Sequence, residues 1–288
     1  NKDVPRCGFC GPRAGGRART AACMNPSRPD ISIIIISTNE CADLERCLQS
    51  IDLENESPRL EVFVVDNHSS DGTSAMVGDR FPAVRLIRNP RKYGFSTNNN
   101  LGILRCTGRY VLILNPDTIL RDDTLSIMTS FMDEHPDVGA AGCRLVNPDG
   151  SQQYTARRFP TLLSVIFRWA NLDRLFPRLN VLRHYLMMDC DQHQIRDVDW
   201  IIGAFLFVRH SVLEEVGPFD QRFDPLYIED EDLCYRIKQN GYRVTYVPAT
   251  EIVHAYNRES ARGFFNRMTY IHFRNFLRFY IKHRRYRL

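Results

Sequence analysis

Ile31-Ser-Ile-Ile-Ile-Ile-Ser-Thr-Asn-Glu40 is the stretch on which the fold turns. Ile31 to Ile36 is a short β-branched run with one small polar residue in it. Such a run suits a strand buried on both faces, as in a parallel sheet covered by helices. The sequence then becomes polar at Ser37. Leu44, Cys47, Leu48 and Ile51 follow at helical spacing. Further along, strands are expected at Val62–Val65, Val84–Ile87, Tyr110–Leu114 and Val138–Cys143. Helices are expected near Ser74–Gly78, Ser96–Arg105 and Leu125–Met132. Strands alternating with helices at these lengths predict an α/β fold with a doubly wound, mainly parallel sheet.

Ligands of such sheets sit beyond the carboxyl ends of the strands. After the first strand come Ser37, Thr38, Asn39 and Glu40; after the second come Asp66 and Asn67; after the Tyr110 strand come Asn115, Pro116 and Asp117. Asp66 is a carboxylate placed to accept the N3–H of uracil or thymine, and it also suits a turn. A hard carboxylate such as Asp117 suits Mg²⁺ or Mn²⁺ bridging two phosphates; Asn-Pro-Asp-Thr is equally a β-turn sequence. Glu229-Asp-Glu-Asp232 precedes a helix read from Leu233 and Ile237. Acidic residues favour a helix N-terminus, but four in a row repel one another and raise the pKa of at least one, which suits a general base. His254 lies beyond an expected strand at Arg243–Val247 and is by itself ambiguous between a structural and a ligand role. No G-x-G-x-x-G follows the first strand and no P-loop motif occurs, which argues against a dinucleotide oxidoreductase or a P-loop NTPase.

Nine cysteines in 288 residues, an odd number without framework spacing, suggest a reduced, cytoplasmic protein. Cys7 and Cys10 lack the second pair that a zinc site needs. No apolar run approaches the ~18 residues of a membrane span; the longest, Ile31–Ile36 and Trp200–Val208, both suit buried strands, and no apolar signal segment opens the chain. Residues 1–29, rich in Gly, Arg, Pro and Ala, read as a disordered basic extension. After Glu259 no acidic residue remains, while Phe265, Thr269, Phe273, Phe276, Leu277 and Tyr280 recur near one helical face. Residues 261–288 therefore read as a basic amphipathic helix. It either lies on the anionic inner face of the plasma membrane or packs on the core with its cationic face in water. A nucleic-acid partner is not expected from one short basic helix.

Val65-Asp-Asn-His-Ser-Ser-Asp-Gly-Thr73, Gly94-Phe-Ser-Thr-Asn-Asn-Asn-Leu-Gly102, Leu114-Asn-Pro-Asp117, Asp199-Trp-Ile-Ile-Gly-Ala204, Val216-Gly-Pro-Phe-Asp220 and Glu229-Asp-Glu-Asp-Leu233 occur in one order. In that order and spacing the chain resembles the family 2 glycosyltransferases, which have the GT-A fold and invert the anomeric centre. It is most similar to bacterial rhamnosyltransferase-like and galactofuranosyltransferase-like members. The resemblance runs from about residue 31 to residue 280. It implies transfer of one sugar, rhamnose among the candidates, from a nucleotide diphosphate donor (dTDP- or UDP-sugar) to a saccharide or polyprenyl-linked acceptor in cell-surface polysaccharide synthesis. Residues 30–145 would form the donor half and 146–260 the acceptor half of a catalytic domain over 30–260. The match implies a donor site of Ser37, Asn39, Glu40, Asp66, Asn67, Asn100, Asn115 and Asp117. It implies a metal held by Asp117 and His254, and an acceptor side of Trp200, Gly203, Glu229 and Asp232. Asp230 is then the general base. Thr38 departs from the family's usual aromatic, and Asn115 replaces the first carboxylate of D-x-D. The processive members' Q-x-x-R-W is missing after the acidic run; the one Arg-Trp, Arg168-Trp169, precedes it. A single-addition enzyme is expected. A sugar-nucleotide pyrophosphorylase would carry a Gly-rich basic loop where Ser37-Thr-Asn-Glu40 stands.

Overall fold

The computed structural model describes residues 28–54, 57–161, 164, 180–255 and 267–283. Most of the basic N-terminal segment with Cys7 and Cys10, the Arg168-Trp169 pair, Phe265, and the tail beyond His283 lie outside the described residues.

Ile31–Ser37 forms β1, followed by α1 (Cys41–Gln49), β2 (Leu60–Asp66), α2 (Thr73–Arg80), β3 (Arg85–Arg88), α3 (Phe95–Ile103) and β4 (Tyr110–Leu114). The chain continues through β5 (Thr118–Ile119), α4 (Thr124–Glu134), β6 (Val138–Val146), β7 (Gln152–Gln153) and β8 (Ala156–Arg157). Next come α5 (Val181–Tyr185), β9 (Arg196–Asp197), β10 (Trp200–Ile201), β11 (Phe205–Arg209) and α6 (His210–Val216). Last are α7 (Glu229–Gln239), β12 (Arg243–His254) and α8 (Arg267–Lys282). The main sheet has the order β3-β2-β1-β4-β11-β6-β12-β5. β1 is parallel to β2 and β4, β2 to β3, and β6 to β12. β11 runs antiparallel between β4 and β6.

Alternate residues of the buried strands feed two cores, one on each face. Ile33, Ile35, Val62, Val64, Leu112 and Leu114 pack with Leu44, Cys47, Val77 and Met128. Ile34, Phe63, Val65, Val111 and Ile113 pack with Ile103, Val212, Leu233 and Ile237. Helices thus cover both faces, as the β-branched run requires. The close approach of α3 depends on Gly102, where a Cβ would stand 2.7 Å from Ile34 Cγ2.

Two elements differ from the sequence expectation. The apolar run Trp200–Val208 is not one strand. Trp200 and Ile201 pair with Arg157 and Ala156 in a separate two-stranded sheet, and the main sheet resumes at Phe205. Burial of both segments hides the break from any apolar count. Helix α7 begins at Glu229, so the acidic run is its first turn rather than a segment before it.

The C-terminal helix packs on the core, in agreement with one of its two readings. Its buried side is Ile271, Asn275, Phe276 and Phe279, whereas Leu277 and Tyr280, expected on that face, are exposed. Phe276 and Phe279 join Phe223, Ile228 and Tyr235 in a third apolar cluster. Asn275, fully buried, donates its amide to the carbonyls of Phe223, Leu226 (3.0 Å) and Tyr227 (3.2 Å). Those carbonyls belong to the turn entering α7, where Tyr227 and Ile228 hold φ of 77° and 78°. Consecutive left-handed residues, one of them β-branched, are costly and persist only where their surroundings fix them.

Asp232, expected on the acceptor side, serves this packing instead. Its fully buried carboxylate meets Arg236 Nε at 2.8 Å, Lys282 Nζ at 2.6 Å and His283 Nε2 at 2.8 Å. Burial by itself raises its pKa; the His283 hydrogen bond and the Arg236 and Lys282 charges outweigh that and lower it. A lowered folded-state pKa stabilises the protein above the unfolded value of about 4, and the contribution is lost as acid protonates the carboxylate. Asp232→Asn should cost about 3 kcal/mol in urea unfolding at pH 7. The deficit should shrink below about pH 4.

Candidate active site

The register of the sheet brings the polar strand ends together. Ser37 pairs with Asp66 in the β1–β2 ladder, and Leu114 at the end of β4 pairs with Ile35. β11 starts at this same edge because it runs the other way: Phe205 pairs with Leu114, and Asn115 N–H donates to Ala204 C=O at 3.1 Å. The preceding Gly203 N–H donates to Asp230 Oδ2 at 3.1 Å. One chain of backbone contacts therefore joins the Asn115–Asp117 turn to the carboxylate that opens α7. Asp66 and Asn115 lie two strands apart, roughly 10 Å at ~4.8 Å per strand.

The first two loops are tied to each other. Asp66 is buried; Oδ1 accepts from Ser69 N–H at 2.9 Å and Oδ2 accepts from the Ser74 hydroxyl. Asn67 accepts from Tyr93 N–H at 2.8 Å and donates to Thr38 Oγ1 and Tyr93 C=O, each at 3.2 Å. Asn39, with φ of 57°, accepts from Ser70 N–H at 2.7 Å, and Glu40 Oε2 accepts from Thr38 N–H at 3.1 Å. The Ser37 hydroxyl is buried without a hydrogen-bond partner in the structure. Asn100 spans two parts of the chain: its amide donates to Phe219 C=O at 2.8 Å, and its oxygen accepts from Phe219 N–H at 3.0 Å. Its described contacts thus fasten α3 to the Val216–Asp220 segment.

Asp117 Oδ1 and His254 Nε2 stand 3.2 Å apart, although 137 positions separate them in the chain. β12 delivers the histidine as its final residue, beside Thr118 of β5. Gln153, which the sequence reading missed, sets the imidazole. Its Nε2 donates to His254 C=O at 2.8 Å and Asn147 Oδ1 at 2.7 Å, so its Oε1 faces His254 Nδ1 at 2.8 Å. Nδ1 then carries a proton, so in the neutral ring the Nε2 lone pair is directed at Asp117 and at Asn115 Nδ2, 3.3 Å away. A histidine fixed through its other nitrogen is the usual arrangement of a metal ligand. Adjacent ligands on an octahedral ion with ~2.1 Å bonds lie ~3 Å apart, so the pair fits two neighbouring positions. No cluster of three such ligands occurs among the described residues. Magnesium-type sites complete themselves with phosphate oxygens and water. Nothing in the local sequence distinguishes Gln153 from Gln152; only the strand pairing brings it to the histidine.

Asp230 is partly open to solvent. Burial raises its pKa, against the N–H groups of Gly203 and Glu231 and the charge of Arg157. Glu229 is more deeply placed: burial and then the Asp230 charge push it well above the ordinary carboxylate range, and its Oε2 has no hydrogen-bond partner among the described residues. Of the two neighbouring carboxyls, Glu229 is the one driven further toward its neutral form. Gly203 also passes under a ring, with Phe95 Cζ 3.3 Å from where its Cβ would be. Trp200 is buried, its indole N–H donating to Arg158 C=O at 3.0 Å.

The model for the family described as glycosyl transferase family 2 matches residues 32–217. An N-acetylglucosaminyl-diphospho-decaprenol L-rhamnosyltransferase of Mycobacterium tuberculosis is 30% identical over 235 residues, 78% of this chain and 75% of that protein. Rhamnosyltransferase WbbL of Escherichia coli is 26% identical over 264 residues, 88% of this chain and 94% of that one. Among solved structures, the mannosyltransferase PcManGT from Pyrobaculum calidifontis in complex with GDP-Man and Mn²⁺ superposes with a TM-score of 0.56 at 24% identity. That match covers 82% of this chain and 59% of the other. GalNAc-T7 with UDP, GalNAc and Mn²⁺ gives 0.64 at 14% identity, covering 88% and 48%. The chain spans about half to three fifths of those two structures' lengths, and at such identities the likeness is one of fold.

If Gln153 orients a metal-binding His254, Gln153→Ala should weaken Mn²⁺ binding about ten- to hundred-fold. Calorimetry in the presence of a nucleoside diphosphate reads this directly. Asp117→Ala should remove the metal dependence altogether.

Proposed function

This chain belongs to glycosyl transferase family 2, and from that premise we propose that it moves one rhamnose from a dTDP- or UDP-linked donor to a polyprenyl diphosphate-linked saccharide. The GT-A fold is common to it and its solved structural neighbours. The choice of sugar and acceptor is supported by the names of the two rhamnosyltransferase relatives. The reading rests chiefly on one observation: Asn115, whose turn carries Asp117, is bonded through Ala204 and Gly203 to Asp230.

In this mechanism residues 30–145 hold the donor and 146–260 the acceptor. Asp66 reads the pyrimidine from the end of β2, and Ser37, Asn39, Glu40 and Asn67 shape the loops around the nucleotide. Each Asp66 carboxylate oxygen already accepts one hydrogen bond, from Ser69 or Ser74, and keeps a second lone pair for the base. Asp117 and His254 would hold Mg²⁺ or Mn²⁺ against the diphosphate, where the ion would offset the charge of the leaving group. Asp230 accepts the proton of the acceptor hydroxyl while that oxygen attacks the anomeric carbon. Base and leaving group occupy opposite faces of the sugar, so the configuration inverts. The stronger upward shift of Glu229 favours loss of the pair's proton from Asp230 first. Because the Asp230 pKa is raised, activity should fall on its acid side above the ordinary carboxylate range.

Asp230→Asn should lower transfer by about 10²- to 10⁴-fold while donor affinity stays near wild type. Single-turnover transfer paired with calorimetry of donor binding separates the two effects, and wild-type turnover in the variant would refute the base assignment.

The acceptor reading also calls for contact with a bilayer. No helix among the described residues is long and apolar enough to cross one. α8 instead exposes Tyr270, Leu277, Tyr280 and Ile281 on the side away from the core. With the basic residues that follow in sequence, this stripe suits peripheral attachment to the anionic inner leaflet. Replacing Leu277 and Ile281 by Asp should abolish co-sedimentation with vesicles containing anionic lipid.

A further inference from the structure

Arg157 and Arg158 are neighbours in sequence with opposite surroundings. Arg158 is engaged: Nη1 pairs with Asp189 Oδ1 at 2.9 Å and also donates to His184 C=O at 2.5 Å. The Arg157 guanidinium has no hydrogen bond and no carboxylate within ion-pair distance among the described residues, and its Nε is buried. Its guanidinium lies over two rings, 5.3 Å from the Trp200 centroid and 5.7 Å from that of Tyr185. Stacking on aromatic faces fixes the plane of the group and leaves its N–H edge available. A buried donor without an acceptor is costly and rare in folded proteins. This one has no acceptor among the described residues.

Its location gives the missing acceptor a role. Arg157 pairs with Trp200 across β8 and β10, and three residues beyond Trp200 the Gly203 N–H holds Asp230. The cation therefore stands beside the base, on the β8–β10 strand pair that is separate from the main sheet. Its charge also opposes the effect of burial on Asp230. A planar fork of N–H donors is the side chain best matched to a phosphoryl oxyanion. The donor diphosphate is assigned to the edge of β4, which leaves the acceptor as the source of the anion.

We infer that Arg157 forms a subsite for a phosphate group of the acceptor, holding a diphosphate-linked saccharide with its hydroxyl at Asp230. The inference rests on the reading of Asp230 as the base. It explains how the enzyme would select a lipid-linked acceptor over a free glycan: by its anionic linkage rather than by its lipid.

The test is a pair of acceptors with one saccharide, carried on a short-chain prenyl diphosphate or on an uncharged alkyl glycoside. They are compared in the full chain and in Arg157→Lys and Arg157→Gln. Loss of charge-assisted bonds should raise KM for the diphosphate acceptor about ten- to hundred-fold. The wild-type preference for it over the glycoside should collapse, with the donor KM moving far less. Lys keeps the charge and the stem, so that variant carries the test if Gln impairs folding in a thermal melt. An equal loss with both acceptors, accompanied by a shifted acid limb in the pH profile, would show that Arg157 only balances Asp230. A donor KM that rises most would assign the cation to the donor. Either result overturns the inference. Asp230→Asn in the same assay reports on the base independently: retained turnover there would remove the base reading while the acceptor preference of the Arg157 variants could still be read.

Discussion

The hydrogen bond from Asn115 N–H to Ala204 C=O is the contact on which the rest of the site depends. It exists because β11 enters the sheet antiparallel to β4, so that it begins at the edge where the parallel strands end. A fully parallel sheet would place the start of that strand at the opposite edge, away from the polar loops. One reversed strand therefore brings the Gly203 amide, and with it Asp230, to the turn that carries Asp117. β12 closes the group from the other side by running on past Val247 to deliver His254.

The acidic turn is held from behind as firmly as from the front. Asn275 and Arg274 of α8 donate to the carbonyls of the segment entering α7, while Asp224 in that segment accepts from Ser96 N–H at 2.9 Å and so caps α3. Two left-handed residues follow, and then Glu229 and Asp230. Asp232 completes the arrangement by pairing with Lys282 and His283. Within four consecutive acidic residues the roles divide by direction along one helical turn. Asp232 looks to the C-terminal helix, Asp230 to the Gly203 amide, and Glu229 lies buried behind them. The same helix shows apolar side chains to solvent on its far side, so the surface proposed to meet a bilayer and the support of the base are two faces of one element.

Much of the fold could be read from period and composition, because buried parallel strands declare themselves as β-branched runs. Ile31–Ile36, Val62–Val65 and Tyr110–Leu114 all lie within observed strands. The break inside Trp200–Val208 was not legible, since a change of sheet leaves hydrophobicity unaltered. The pairing of Asp117 with His254 followed from a family resemblance, as no local pattern links residues so far apart. Gln153 and Asn275 were not assigned from the sequence for a common reason. Each acts through contacts with residues distant in the chain, and a Gln beside a Gln and an Asn in a basic helix carry no distinguishing signal. Asp232 was misread because a carboxylate run has no marker for which member turns inward to a lysine.

The central claim is that Asp117, His254 and Asp230 face one cavity that takes a nucleotide and a metal. A crystal structure with Mn²⁺ and a nucleoside diphosphate, the ion located by its anomalous scattering, tests it most directly. The account predicts an ion within ~2.2 Å of Asp117 Oδ1 and His254 Nε2, the diphosphate on its open side, and the Asp230 carboxylate facing the space beyond the terminal phosphate. An ion seated away from that pair, or a nucleotide with Asp230 turned from it, would contradict the account.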